Sequence, residues 1–73
     1  MSNRDIFARN LRRFRELRGF SQEELSDRAD VDRSYISKLE NSKYSASIDV
    51  MNRLAMGLEV DVSHLIGDDR LEY

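Results

Sequence analysis

Apolar residues recur three and four positions apart along most of the chain, the spacing that lines one side of a 3.6-residue helix. Phe7, Leu11 and Phe14 form one such set, with Leu17 either joining it or lying at its margin. Leu25 and Ala29 form a second, Ile36 and Leu39 a third, and Ile48, Met51, Leu54, Ala55 and Leu58 a fourth. Leu65 and Ile66 mark a short fifth element. The pattern therefore predicts an all-α, compact five-helix bundle. The first helix should run from about Asp5 to Arg18 and end at Gly19 as its C′ residue, with residues 1–4 frayed and Phe20 tucked back as an anchor. Ser21 is a good N-cap, and Glu24 three residues on completes a capping box, so the second helix begins at about Gln22. Asp32 caps the third helix, Ser47 or Ser45 the fourth, and Asp61 the fifth. Met51 and Met56 are expected to be packing residues, Val31 a core plug, and His64 simply exposed.

The stretch from Phe20 to Asn41 carries the most information. Two short amphipathic helices are separated by a tight connection around Asp30-Val31-Asp32. Neither is long enough to stand alone in water, so they must pack on each other and on a third element. That is the sequence form of a helix-turn-helix. At 100° per residue, placing Ile36 inward puts Leu39 and Glu40 on the packed side of the third helix. Ser34, Lys38 and Asn41 then point outward, with Ser37 beside them and Arg33 at the N-terminal flank. This face carries no acid. It is either an ordinary solvated surface or a set of groups suited to base edges and phosphates.

The run S-Q-E-E-L-x-x-x-A-x-x-x-x-S-Y-I-S-K-L-E-N resembles the helix-turn-helix of the phage repressor/Cro-like (XRE) family of transcriptional regulators. The likeness continues upstream through Leu11 to Arg15 and Arg18-Gly19-Phe20, and downstream through Ser47-Ile48, Met51, Leu54-Ala55, Gly57-Leu58, Val60 and Leu65-Ile66. It spans about residues 5 to 67. A narrower likeness, through D-R-S-Y-I-S and G-L-E-V, is to the controller proteins of restriction–modification systems.

The resemblance implies a regulator that binds double-stranded DNA, with the third helix in the major groove. Arg33 is then the candidate for a bidentate contact to guanine, Lys38 for guanine or a phosphate, and Ser34 and Ser37 for supporting contacts. Gln22 and Ser21 would hold a phosphate at the start of the second helix, and Asn41 and Lys43 would clamp phosphates at the far end. Tyr35 would reach the DNA backbone or a neighbouring subunit, or serve as a boundary packing residue. Arg15 is expected to pair with Glu40 and tie the first helix to the third. One module reads few base pairs, so a homodimer on a palindromic operator is expected, through Leu58, Val60, Val62, Leu65 and Ile66, with Leu71 and Tyr73 available to join. The chain departs from the family pattern at Asp30, where glycine is common, and at Ser42 and Ala46, where glycine and proline are.

Composition narrows the picture further. Seventy-three residues make one domain, expected at 1–67, followed by an acidic tail at 68–73. There is no cysteine or proline and one histidine, and the three glycines stand alone at 19, 57 and 67, so neither a metal cluster nor a phosphate loop is expected. No nucleophile–base constellation or paired carboxylates point to an enzyme, and no cofactor or small-molecule ligand is expected. No signal pattern or long apolar run is visible, so the expectation is a soluble, cytoplasmic protein, and the resemblance implies a bacterial or phage origin.

The net charge of −2 counts at first against a nucleic-acid binder and favours a protein-interaction module of the same fold. Its distribution reverses the weight. Residues 1–20 carry +4 and residues 33–46 carry +2, while 21–32 and 47–73 carry −4 each.

Overall fold

The computed structural model describes residues 2–67, and these form five helices: α1 (Asn3–Leu17), α2 (Gln22–Ala29), α3 (Arg33–Glu40), α4 (Ile48–Leu58) and α5 (Val62–Ile66). Leu71, Tyr73 and the rest of the acidic tail lie outside the described residues. No described helix is long and apolar enough to cross a membrane.

α1 begins two residues earlier than its apolar stripe suggests, because the Ser2 hydroxyl accepts from the Asp5 backbone N–H at 3.2 Å and caps it. At its other end Gly19 sits at φ 73°, and the N–H groups of Gly19 and Phe20 bond back to Glu16 and Arg15 at 3.0 Å. This is the left-handed exit that glycine makes without a steric penalty. Ser21 caps α2 through Glu24 N–H at 3.0 Å. The reciprocal half of the expected capping box is replaced by a contact of the Glu24 carboxylate with Arg28 at 3.5 Å.

α2 packs on α4 and α3, and α1 packs on α3 and α5. The core at their meeting contains Phe7, Leu11, Leu25, Ala29, Val31, Ile36, Leu39, Leu54, Ala55, Leu58 and Leu65. Gly57 lets α4 approach α2 closely: a Cβ there would lie 3.0 Å from Ala29 Cβ and 3.1 Å from Ala29 N.

Several sequence expectations are corrected. Ile48 is 76% exposed and Met56 78% exposed, whereas Val50 and Met51 lie against the core. Met56 stands about 200° round α4 from Leu54, on the far side of the helix, and Ile48 lies in the first turn at the edge of the packed stripe. Leu17 is also on the surface. Leu58 and Leu65, expected to supply a dimer surface, are wholly buried within the single chain. Their apolar area is already spent on the α1–α4–α5 core.

Two polar residues do structural work that periodicity does not announce. Asn10 is buried beside Leu11, and its amide donates to the carbonyls of Leu65 at 3.0 Å and Gly67 at 2.8 Å, closing the C-terminus of α5. His64, though exposed, accepts from Asp61 N–H through Nδ1 at 3.2 Å and sets its ring edge-on to Phe14 at 5.7 Å.

Candidate nucleic-acid interface

The connection from α2 to α3 is three residues long and is held by its own hydrogen bonds. Asp30 ends α2 in the left-handed conformation (φ 56°, ψ 47°), taking the place of the expected glycine. The Ser26 hydroxyl donates to the Val31 carbonyl, and Val31 plugs the core. Arg53 of α4 braces the turn by donating to the Asp30 carbonyl at 3.1 Å. The Asp32 carboxylate then caps α3, accepting from Ser34 N–H at 3.0 Å, Tyr35 N–H at 3.3 Å and the Ser34 hydroxyl. These bonds hold the Asp32 carboxyl below the usual carboxylate range, the Ser34 hydroxyl contributing most.

α3 buries Ile36, Leu39 and Glu40 and exposes Arg33, Ser34, Lys38 and the capping residue Asn41, with Ser37 half-buried. Among the described residues no hydrogen bond or ion pair engages the Arg33 side chain, so all its donors face solvent. The Ser34 hydroxyl is turned toward Asp32 but keeps its acceptor lone pairs. Lys38 places its ammonium 5.5 Å from the centre of the Tyr44 ring. Tyr44 lies 6.2 Å from the Tyr35 ring, and the Tyr35 hydroxyl donates to the Ser45 carbonyl at 3.4 Å. Tyr35 thus braces the loop after α3 from a half-buried position.

That loop leaves α3 through Ser42, at φ 60° where glycine is more usual, with Lys43 N–H bonding back to the Lys38 carbonyl at 2.9 Å. The Asn41 amide folds onto the Ser37 carbonyl at 2.9 Å. Lys43 remains exposed just beyond it.

On the inner side of α3, the Glu40 carboxylate has no exposed surface. Arg15 binds it twice, Nε to Oε2 at 2.7 Å and Nη2 to Oε1 at 3.0 Å, and uses Nη1 to hold the Phe20 carbonyl at 2.9 Å. Gln22 Nε2 donates to Glu40 Oε1 at 3.1 Å, and Arg12 Nε lies 3.4 Å from the same oxygen. Burial pushes the Glu40 carboxyl up, but the bonds from Arg15, Gln22 and Arg12 and the Arg15 charge together outweigh it and hold the group below its ordinary value. Glu40 therefore adds no free negative charge to the reading face. Gln22, placed by sequence at a phosphate, has part of its amide committed to this cluster. The link to Arg12 is one that sequence reasoning missed.

Among the described residues no group of three or more His, Cys, Asp or Glu side chains could hold a metal ion. The arrangement offers recognition chemistry: a cationic, hydrogen-bonding helix face on a rigid support.

A helix-turn-helix family profile, HTH_3, matches residues 11–65. A hypothetical transcription factor of Neisseria meningitidis serogroup B is 33% identical over 63 residues, which are 86% of this chain and 59% of that protein. The chain thus spans little more than half the length of that relative. The control protein C.MunI of Mycoplasma is 33% identical over 63 residues, 85% of each chain. The crystal structure of the Neisseria factor superposes with a TM-score of 0.89 at 30% identity, covering 94% of this chain and 79% of that one. The restriction–modification controller protein C.AhdI of Aeromonas hydrophila gives 0.84 at 29% identity, covering 89% and 98%. By their names these relatives are regulators. With the bundle, the three-residue turn and the profile in agreement, the chain belongs to the HTH_3 helix-turn-helix family of XRE-like transcriptional regulators.

Proposed function

We propose that the chain is a cytoplasmic, sequence-specific regulator of transcription that inserts α3 into the major groove of double-stranded DNA. The outward face of α3 carries this reading: Arg33, Ser34, Lys38 and Asn41 are exposed together, while the helix's one acid is buried and paired. Arg33 reads a guanine through O6 and N7, and Lys38 reads a second position or a phosphate. Ser34 and Ser37 add hydrogen bonds. Ser21, Gln22, Asn41, Lys43 and Tyr35 fix the register by contacts to the sugar–phosphate backbone. Two copies bind a two-fold operator with half-sites about one helical turn apart. With Leu58 and Leu65 withdrawn to the core, the pairing surface consists of Val60, Val62 and Ile66, joined by Met56, around the shallow groove between α4 and α5.

Selection of bound sequences from random duplexes, with the wild type and with Arg33→Ala, tests this. A palindromic site is expected, with one guanine position relaxed in the variant by about 1–3 kcal/mol. If low-salt selection enriches no sequence, the fold serves as a protein-interaction module instead.

A further inference from the structure

The Glu40 carboxylate collects more cationic donors than its own charge requires. The bidentate grip of Arg15 already neutralises it. Gln22 and Arg12 nonetheless converge on Oε1, at 3.1 Å and 3.4 Å. Two guanidiniums around one carboxylate leave a surplus positive charge, and burial decides where it sits. The Arg15 side chain is 13% exposed and that of Arg12 50%. The surplus therefore faces solvent on Arg12.

Arg12 meets Glu40 only through Nε, so the four N–H groups of its terminal nitrogens are not used in that bond. Gln22, the first residue of α2, likewise has one amide N–H beyond the one given to Glu40. Both side chains are tethered to the same oxygen and so lie within a few ångströms of each other. An open groove between α1 and the end of α3 continues the surface past Arg12 to Arg9, Arg13 and Ser42. Asp5 and Glu16 also line this groove, and the hydroxyls of Ser42 and Ser2 hold the Asp5 carboxyl in its charged form.

We propose that Arg12 is a further DNA-phosphate ligand of this protein, and that Glu40 is the positioning residue that holds it beside Gln22 so that both meet one backbone phosphate. The inference rests on the DNA-binding reading of α3. A phosphate suits the site because the guanidinium fork matches its oxygens, and because Arg12 stands on α1, off the helix that faces the base edges. The buried ion pair thereby has two tasks. It ties α1 to α3, and it pre-sets two donors on different helices at no further ordering cost when DNA arrives.

The test is the salt dependence of binding by the full chain, read by fluorescence anisotropy on the selected operator and on a scrambled duplex. Arg12→Gln removes the charge from a half-exposed position without opening the core. It is expected to lower the slope of log K against log salt by about 0.9 per bound chain and to weaken both duplexes equally. Arg12→Lys should recover most of the slope. Arg18→Gln makes the same change of net charge at the C-terminal end of α1, where Arg18 donates to the carbonyls of Leu58 and Glu59, and should leave the slope alone. Combining Arg12→Gln with Gln22→Ala should weaken binding by less than the product of the separate effects, as expected of two donors on one phosphate. An unchanged slope in Arg12→Gln, or an equal fall in Arg18→Gln, overturns the assignment. Fully multiplicative losses in the double variant overturn the shared positioning by Glu40. If the wild type binds neither duplex at low salt, the DNA reading itself has failed, a result distinct from each of these.

Discussion

Arg15 on α1 and Glu40 on α3 lie 25 positions apart in sequence and meet through two parallel hydrogen bonds of 2.7 and 3.0 Å, with the carboxylate fully out of water. Removing Arg15 leaves the buried carboxylate with only Gln22 and the half-exposed Arg12, at a cost approaching the roughly 3–5 kcal/mol of breaking a buried pair. Arg15→Ala should therefore lose most of the stability of so small a domain, seen as a collapse of the urea midpoint. The double change Arg15→Met with Glu40→Leu should recover much of the loss, because it removes both charges and keeps the volume. A wild-type midpoint for Arg15→Ala would show that the pair does not hold α1 to α3.

The same cluster sets the acid limit of the fold. Glu40, Asp32 and Asp5 all have carboxyls held below their ordinary values. A carboxyl depressed by folding adds stability that is complete above its unfolded pKa and is lost as pH falls through the lower, folded one. The melting temperature should thus be level from neutrality down to about pH 4.5, the ordinary value for glutamate, and then drop. Asp5 and Asp32 are exposed, so most of the drop belongs to Glu40. Glu40→Gln should melt lower at neutral pH and show a flatter acid limb. An acid limb equally steep in this variant would assign the transition to other groups.

Among the described residues, three other than glycine adopt left-handed backbone angles: Asp30 at φ 56°, Ser42 at 60° and Glu59 at 60°. Each closes a helix, and side chains with a Cβ bear a steric penalty there, smallest for aspartate. Glu59→Gly should raise stability by about 1 kcal/mol, and Asp30→Gly by less, since Asp30 tolerates the angle and also meets Arg53 at 3.6 Å. Urea unfolding of the two variants side by side checks the order. A larger gain at Asp30 would contradict it.

The parts of this fold that were legible in the sequence are those specified by local rules. Ser21, Asp32 and Ser47 each cap the helix that follows them, Gly19 turns the chain out of α1, and Asp30 takes the left-handed angle expected at its position. The angular count also put Glu40 on the packed side of α3, where its carboxylate is buried. What escaped depends on which neighbour happens to lie opposite. Asn10 sits inside the stripe of Phe7, Leu11 and Phe14, at the spacing of a core residue, but a polar side chain there signals nothing until the carbonyls of Leu65 and Gly67 are seen beside it. Leu65 looked like surplus apolar surface because α5 is too short to show periodicity, whereas Leu58 already stood in the inward set of the fourth helix and no pattern favoured placing it on a dimer surface as well. Arg12 could not be told from Arg9 or Arg13 by spacing, since its distinction is the oxygen it shares with Gln22.

Gly57 links the packing to the reading helix. An added Cβ would press on Ala29 at 3.0 Å, and α2 would have to move away from α4 or tilt. Alanine is intrinsically favoured over glycine in a helix by about 1 kcal/mol, but overpacking a tight contact costs about 1–3 kcal/mol. Gly57→Ala is expected to be net destabilising, with a lower melting temperature, and to weaken DNA binding because α2 and α3 share the turn at Asp30. A stabilised variant would mean that the crossing relaxes freely.

The pairing surface makes the final test. Met56 is 78% exposed and Ile66 51% exposed, with Val60 and Val62 half-buried between the two helices that carry them. Large apolar side chains left this open are stabilised by meeting their like across a two-fold axis, where the same patch serves both copies. Sedimentation equilibrium of the wild type at tens of micromolar should give the mass of a dimer. Met56→Glu and Ile66→Glu place charges on that patch without touching the core, so each should shift the mass toward a monomer. Operator affinity should then fall steeply, while contacts of each single chain with phosphate persist on a scrambled duplex. Leu58→Ala separates the two roles: its side chain is wholly buried, so it should lower the melting temperature through a cavity worth about 2–5 kcal/mol. A wild type that sediments as a monomer would rule out the two-fold arrangement and leave α3 to read a single half-site.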